Sequence, residues 1–395
     1  MVPQFLVNLF NFNTYKTFNR ENYIFNLNIC LSSHPNQIYV SSLWIQIAHN
    51  KIERRVNEER ICPIMIGKET QIRLVNKLEN IHHVVVQASA LDGSNVFVLQ
   101  LLHRQSDVIV YQTPNDSETV TFNEDHPILY LKGPNSAGTA GGHTQTWVQS
   151  GEDNKWFVGT KPKKHGNTYW TTQIARVTVP GYQTQIFTSN TELPRLSYLN
   201  RAGSGYGDGS VAYPGKDLVR VEAAVSPNKQ YFLIASIDIN HTGHFAIYNL
   251  DEVNKKLDQA EEKAEDVNIQ SLNCLGAFNV PHFNDQKIIS IQGYGIDDNK
   301  NIYISSQPSP HTTFLGFPKQ GKPREIVKIP WGISDPSKWS VVNLDNSLKL
   351  DALNFCTEFE GIQVTSDCLY LTVAYHQRNS DLTTLMNRIY QVEKF

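Results

Sequence analysis

"HTQTWVQSGEDNKWFVG", residues 143–159, sets a polar residue, Gln145, eleven residues ahead of an aromatic one, Trp156, with a Gly-Glu-Asp-Asn turn between them. Polar–turn–aromatic is the pattern of two antiparallel strands joined by a hairpin. The phrase returns four times, as "VVQASALDGSNVFVLQ", "RVEAAVSPNKQYFLIA", "SIQGYGIDDNKNIYIS" and "FEGIQVTSDCLYLTVA". Gln87 precedes Phe97 by ten residues, Glu222 precedes Phe232 by ten, Gln292 precedes Tyr303 by eleven and Glu360 precedes Tyr370 by ten. The copies start about 58 to 77 residues apart, longer than the roughly 40–45 of a WD40 blade, and the excess is assigned to loops.

Around these copies, short apolar runs such as "DVIVYQT", "HFAIYNL" and "EIVKIP" supply further strands. Five repeats of three or four antiparallel strands predict an all-β fold, a five-bladed β-propeller with long inter-strand loops, because radial repetition hides sheet edges. A Gln or Glu at one place in every copy suits innermost strands converging on a channel. Residues 70–78, "TQIRLVNKL", are expected to close the ring as an outer strand of the C-terminal blade, so that deleting 66–79 abolishes soluble folding. Helical patterning appears only in "LDEVNKKLDQAEEKAEDV", residues 250–267, read as a solvated insertion.

The chain has 395 residues, is 40% hydrophobic and 18% charged, and carries a net charge of −3. That balance gives no overall electrostatic footprint for nucleic acid or an anionic membrane. Its five cysteines include no C-x-x-C spacing, which argues against a zinc ribbon or disulfide framework. No run reaches the ~18 apolar residues of a membrane-spanning helix, so an integral membrane protein is not expected. No secretory signal is recognisable. Residues 1–66 contain no glycine and no aspartate and are rich in Asn, Ile, Phe and Tyr. They are read as foreign to the rest, with Met65 as the expected start, 1–64 as a poorly ordered extension and 65–395 as one propeller domain.

Candidate channel or ligand-binding residues are Gln87, His143, Gln145, Glu222, Gln292 and Glu360. His143 follows Gly141 and Gly142, which permit close backbone approach, either to a ligand or to the protein's own chain. Glu222 and Glu360, if both face the channel, form a carboxylate pair with one raised pKa, as a glycosidase or lyase would use. No metal site or cofactor is expected: His241 and His244 in "NHTGHF" lack a third ligand and read as a turn. "RAGSGYGDGS" (201–210) lacks the lysine and context of a phosphate loop. The Asp-rich "GYGIDDNKN" reads as hairpin turn chemistry.

"AGGHTQTW" (140–147), "QIARV" (173–177), "PRLSYLNRAGS" (194–204), "AAVSP" (223–227), "GHFAIYNLD" (243–251), "NIYISSQ" (301–307), "IVKIP" (326–330) and "YLTVAYH" (370–376) carry a resemblance. From Met65 onward the chain resembles the helveticin J family of large, heat-labile bacteriocins of lactobacilli. The resemblance implies an antibacterial protein released to the medium, with target bacterial surfaces and an immunity protein as partners. It brings no catalytic residues. Three functions stay open: a module binding a cell-surface component such as a glycan, with aromatics such as Trp147, Trp170 and Trp331 in its groove; an enzyme cleaving wall or other polysaccharide; and a secreted or surface binding protein that does not kill.

Overall fold

A computed structural model describes residues 70–395 apart from Tyr182 and Ser380, and the expectation for residues 1–64 lies outside the described residues. Five small sheets stand in a ring, a five-bladed β-propeller. Their innermost strands are Val86–Leu91, Trp147–Gln149, Leu218–Val225, Ile291–Ile296 and Phe355–Val364, and each packs on the next around the axis. These strands belong to the five copies found in the sequence, and they define blades one to five. The end where they begin is called the upper end.

Blade five closes the ring. Ile72–Glu79 lies antiparallel to Thr384–Glu393, pairing Ile72 with Val392 and Leu78 with Asn387, as residues 70–78 were expected to do. Three blades gain a fifth, parallel strand that the sequence did not announce. Thr119–Thr121 joins blade five, Gln185–Phe187 joins blade one and Asp266–Asn268 joins blade two. Part of the excess length between copies therefore clasps neighbouring sheets instead of forming free loops.

The core is divided into five wedges, one between each pair of blades. Successive side chains of a strand point to opposite faces, so each middle strand feeds two wedges. Phe232 packs toward blade two and Leu233 toward blade four. Phe97 and Leu99 face blade two, whereas Val96 and Val98 face blade five. Burial on both faces explains why "NVFVLQLL" is apolar almost throughout. Near the axis the backbones nearly touch. A Cβ on Gly293 would sit 2.8 Å from the Gly361 Cα, and one on Gly361 would sit 2.8 Å from the Gln87 carbonyl oxygen. Only glycine fits there.

The helix corrects one expectation. Leu250–Glu261 is no solvated insertion: Leu250, Val253, Leu257 and Ala260 are buried in the wedge between blades two and three. Asn249 caps it by accepting from the Glu252 N–H at 2.9 Å. Its polar face holds the buried Arg176 guanidinium, through Asp258 at 2.5 Å and Glu261 at 3.0 Å. Partial burial pulls both acids upward, but the Lys155 ammonium, with Arg176, holds them below the ordinary carboxylate range. The charges that made the stretch look solvated include the groups that fasten it.

Candidate functional site

Approaching the channel from blade two, residues 143–146 form no strand; the inner strand is confined to Trp147–Gln149. The sequence reading of the whole motif as an inner strand is corrected to that extent. A register shift explains part of the pattern in the other blades. Gln87, Gln292 and Glu360 each fall in a β-bulge, between Val86 and Ala88, between Ile291 and Gly293, and between Phe359 and Ile362. A bulge leaves a residue unpaired and re-aims its side chain.

At the upper end, Gln145, Glu222 and Gln292 are brought together by a residue the sequence reading missed, Arg220. Its Nη2 donates to Gln145 Oε1 at 2.7 Å and to Glu222 Oε1 at 3.2 Å. Its guanidinium lies over the Trp170 ring, 4.4 Å from the centroid, with Tyr294 at 5.7 Å on the way to blade four. Gln145 Nε2 then donates to Gln292 Oε1 at 3.0 Å. Gln292 Nε2 donates to the Gln307 carbonyl at 3.1 Å and to Glu358 Oε1 at 3.4 Å. Glu358 Oε2 meets His376 Nε2 at 2.9 Å. One polar chain thus runs from blade two through blades three and four to blade five.

The other oxygen of Glu222 is filled by the 143–146 segment. Thr146 Oγ1 donates to Glu222 Oε2 at 2.6 Å, the Gln145 N–H at 3.0 Å and Thr144 Oγ1 at 3.1 Å. Glu222 is 1% exposed. A buried carboxylate with a cation and three further donors is a satisfied structural ion pair. It has little capacity left for proton transfer.

His143 stands beside this pair. Its Nδ1 is 2.9 Å from Gln105 Oε1, and its ring packs on Trp170 with centroids 4.3 Å apart. Burial first, and the Arg220 charge second, push its pKa down to about 3, so the imidazole is neutral near pH 7. The preceding glycines make their close approach to the protein's own chain. A Cβ on Gly141 would lie 2.4 Å from the Leu131 carbonyl oxygen, and one on Gly142 would lie 2.9 Å from that of Tyr169.

Glu360 and Gln87 stand outside the Arg220 cluster. Glu360 Oε2 and Gln87 Oε1 are buried with no hydrogen-bond partner. Burial, and then the charge of Glu358, hold the Glu360 carboxyl well above the usual carboxylate range. The carboxylate acting on Glu360 is therefore Glu358, while Glu222 is engaged by Arg220. Deeper in the channel, Ala88, Ala90, Ala223, Val225, Gly295 and Ile362 surround a cavity of about 80 Å³. That volume holds a few waters and is well below the roughly 300 Å³ of a small-molecule site.

The aromatics read as groove residues are placed otherwise. Trp147 is buried and stacks on Trp156 at 4.8 Å with planes 3° apart, which corrects its reading as a groove residue. Trp170 is half-buried beneath Arg220 and His143, and Trp331 is half-buried against Phe278 at 4.9 Å. Among the described residues, no three His, Cys, Asp or Glu side chains are grouped to hold a metal ion. His244 instead contacts Asp238 Oδ2 at 3.0 Å and Asn279 Oδ1 at 3.0 Å. No described helix is long and apolar enough to cross a membrane.

Solved structures with a similar course of chain include the hydrazine synthase of Kuenenia stuttgartiensis, 10% identical over 77% of this chain and 74% of that one, with a TM-score of 0.33. The β-propeller domain of the Trilobed protease from Pyrococcus furiosus is 8% identical over 78% of this chain and 97% of that domain, with a TM-score of 0.29. Similarity that low carries no argument about activity. The sequence relatives are informative. Residues 67–395 match the family model described as bacteriocin helveticin-J. The protein of Lactobacillus helveticus named bacteriocin helveticin-J is 35% identical over 351 residues, which cover 83% of this chain and 98% of that protein. This chain belongs to the helveticin-J bacteriocin family.

Proposed function

We propose that this protein is released to the medium and inhibits related Gram-positive bacteria by binding a component of their surface. Membership of the helveticin-J family supports the antibacterial part. The observation that favours binding over catalysis is the state of Glu222. Four donors of the protein itself occupy the Glu222 carboxylate, so this part of the channel serves as a strut and the faces of the propeller are left to meet the target. The surface component is a glycan or another exposed wall or membrane constituent, and producer cells are protected by an immunity protein.

The test is a spot-on-lawn assay of the purified 65–395 protein against a panel of lactobacilli. Clear zones on some strains are expected, and growth on every lawn removes the antibacterial reading. A turnover assay on purified walls separates binding from cleavage. Reducing ends should not appear. Their release by the wild type, and loss of that release in Glu222→Gln or Glu360→Gln, would establish an enzyme instead.

A further inference from the structure

Exposed apolar side chains are not scattered over this propeller. Phe314, Leu315 and Phe317 are 103%, 75% and 65% exposed. They form the tip of a small hairpin, His311–Thr312 paired with Pro318–Lys319, closed by a Thr313 to Phe317 backbone bond at 2.9 Å. The hairpin belongs to the 307–324 excursion between two strands of blade four, Ile302–Ser306 and Glu325–Ile329. Ser306 pairs with both Ile291 and Glu325, so the excursion leaves from the upper end.

Its base is fixed to blade five. Gln320 Oε1 accepts from the Thr357 N–H at 2.8 Å, its Nε2 donates to the Thr357 carbonyl at 2.7 Å, and Gln307 Oε1 accepts from the Phe359 N–H at 3.0 Å. The remaining exposed large hydrophobics gather at the same end. Ile239, Ile289, Leu348, Leu353 and Leu385 lie in upper loops or beside them, as do Tyr198 and Tyr206. Among the described residues, only Ile186, Leu275 and Val341 lie on outer strands away from these loops. An exposed apolar tip on a rigid base is an interaction feature.

Charge indicates what it meets. Residues 308–323, "PSPHTTFLGFPKQGKP", contain Lys319 and Lys322 and no acid. The turn joining Lys155–His165 to Thr168–Thr178 in blade two also lies at the upper end. The strand leading into it carries exposed Lys161, Lys163 and Lys164, with no acid from residue 160 to 172. A net charge of −3 over the whole chain conceals these two basic segments, which alternate at this end with loops carrying Asp208, Asp285, Asp345 and Asp351. Aromatic and aliphatic side chains flanked by lysines are the chemistry of insertion at an anionic lipid surface: the apolar groups enter the acyl boundary and the ammonium groups stay among phosphates.

The geometry points to the upper face as a membrane-docking surface, with Phe314, Leu315 and Phe317 inserted into an anionic phospholipid bilayer and Lys161, Lys163, Lys164, Lys319 and Lys322 at its headgroups. This rests on the cell-surface reading above and names the lipid bilayer as one constituent contacted. A protruding tip suits a fluid lipid interface, which needs no preformed pocket.

The test is co-sedimentation of the full chain with phosphatidylglycerol-rich vesicles and with pure phosphatidylcholine vesicles, alongside the lawn assay. The wild type should bind the anionic vesicles more tightly. The triple variant Phe314→Ser/Leu315→Ser/Phe317→Ser should keep its melting temperature, since these side chains are exposed, and bind at least about tenfold more weakly. Lys319→Gln/Lys322→Gln should weaken binding mainly at low salt. Leu315→Trp should be quenched by lipids brominated in the acyl chain, beyond the quenching of the native tryptophans. No vesicle binding by the wild type overturns the proposal. Wild-type binding by the triple variant does so too, because the face then reads polyanions. A change from dimer to monomer in that variant also overturns it, by making the tip a contact between copies. Inhibition of lawns without vesicle binding sinks the membrane surface alone. Vesicle binding with no inhibition of any strain sinks the antibacterial reading alone.

Discussion

Glu222 and Glu360 occupy comparable places in the first strands of blades three and five, and their surroundings are opposite. Glu222 lies on a regularly paired stretch opposite Ala235 and is filled by Arg220, Thr144, Thr146 and the Gln145 N–H. Glu360 lies in a bulge, with one oxygen unpartnered and Glu358 as its charged neighbour. The same residue type at the same point of a repeat is an ion-pair partner in one blade and, in the other, a buried acid whose carboxyl is held well above the usual carboxylate range. A repeat fixes where a side chain sits along its strand. The charge two residues earlier on the same strand, Arg220 in one blade and Glu358 in the other, makes the difference.

The contrast can be broken most forcefully at Glu222. Replacing it with alanine leaves Arg220 buried without a counter-charge, which should cost about 3–5 kcal/mol, measured by urea unfolding. A loss below about 1 kcal/mol would mean that solvent reaches Arg220 and that the two glutamates differ less than the geometry indicates. Arg220→Met combined with Glu222→Gln should lose less than the sum of the single changes, with a coupling of about 1–3 kcal/mol. Additive losses would dissolve the pair.

His143 sharpens the comparison through pH. Its folded-state pKa of about 3 lies below the ordinary 6.5, so between these values the unfolded chain takes up a proton that the folded one refuses. Stability should therefore fall as pH drops from 6.5 toward 3, by at most about 1.4 kcal/mol per unit from this group. His143→Gln should flatten that limb. Glu360 works in the opposite direction. Its folded pKa is raised above 4.5, so the unfolded chain gives up the proton first and stability is lost as pH rises above 4.5. Glu360→Gln should lie within about 1 kcal/mol of wild type at pH 4 and gain on it toward pH 7. Parallel pH curves for the two proteins would show Glu360 ionised in the folded state.

The blades were legible because hairpin turns and aromatic strand centres are local signals, set by a few adjacent residues. The closing strand was legible because "TQIRLVNKL" precedes the first copy and blade five lacked a partner. The central cluster was half legible. Gln145, Glu222 and Gln292 were found as repeated positions, but Arg220 occurs in one copy only, and comparing copies passes over what is unique. Glu358 and His376 were missed for the same reason. The helix was misjudged because its charges were counted without partners: Arg176, which binds two of them, is 82 residues from Asp258. The exposed tip at Phe314 was invisible as well, since "TFLGFP" reads equally well as a buried strand.

The pairing of Ile72–Glu79 with Thr384–Glu393 has a consequence in time. The earliest described strand waits for the latest one. During synthesis, four blades can emerge and form hairpins while the fifth lacks its inner strands, so the wedges on either side of it stay open to water. Loop closure across most of the chain is the last and slowest step. The ring therefore cannot close before Thr384–Glu393 has been made. The same seam, which holds the two ends of the ring together, is where heat should first reopen it.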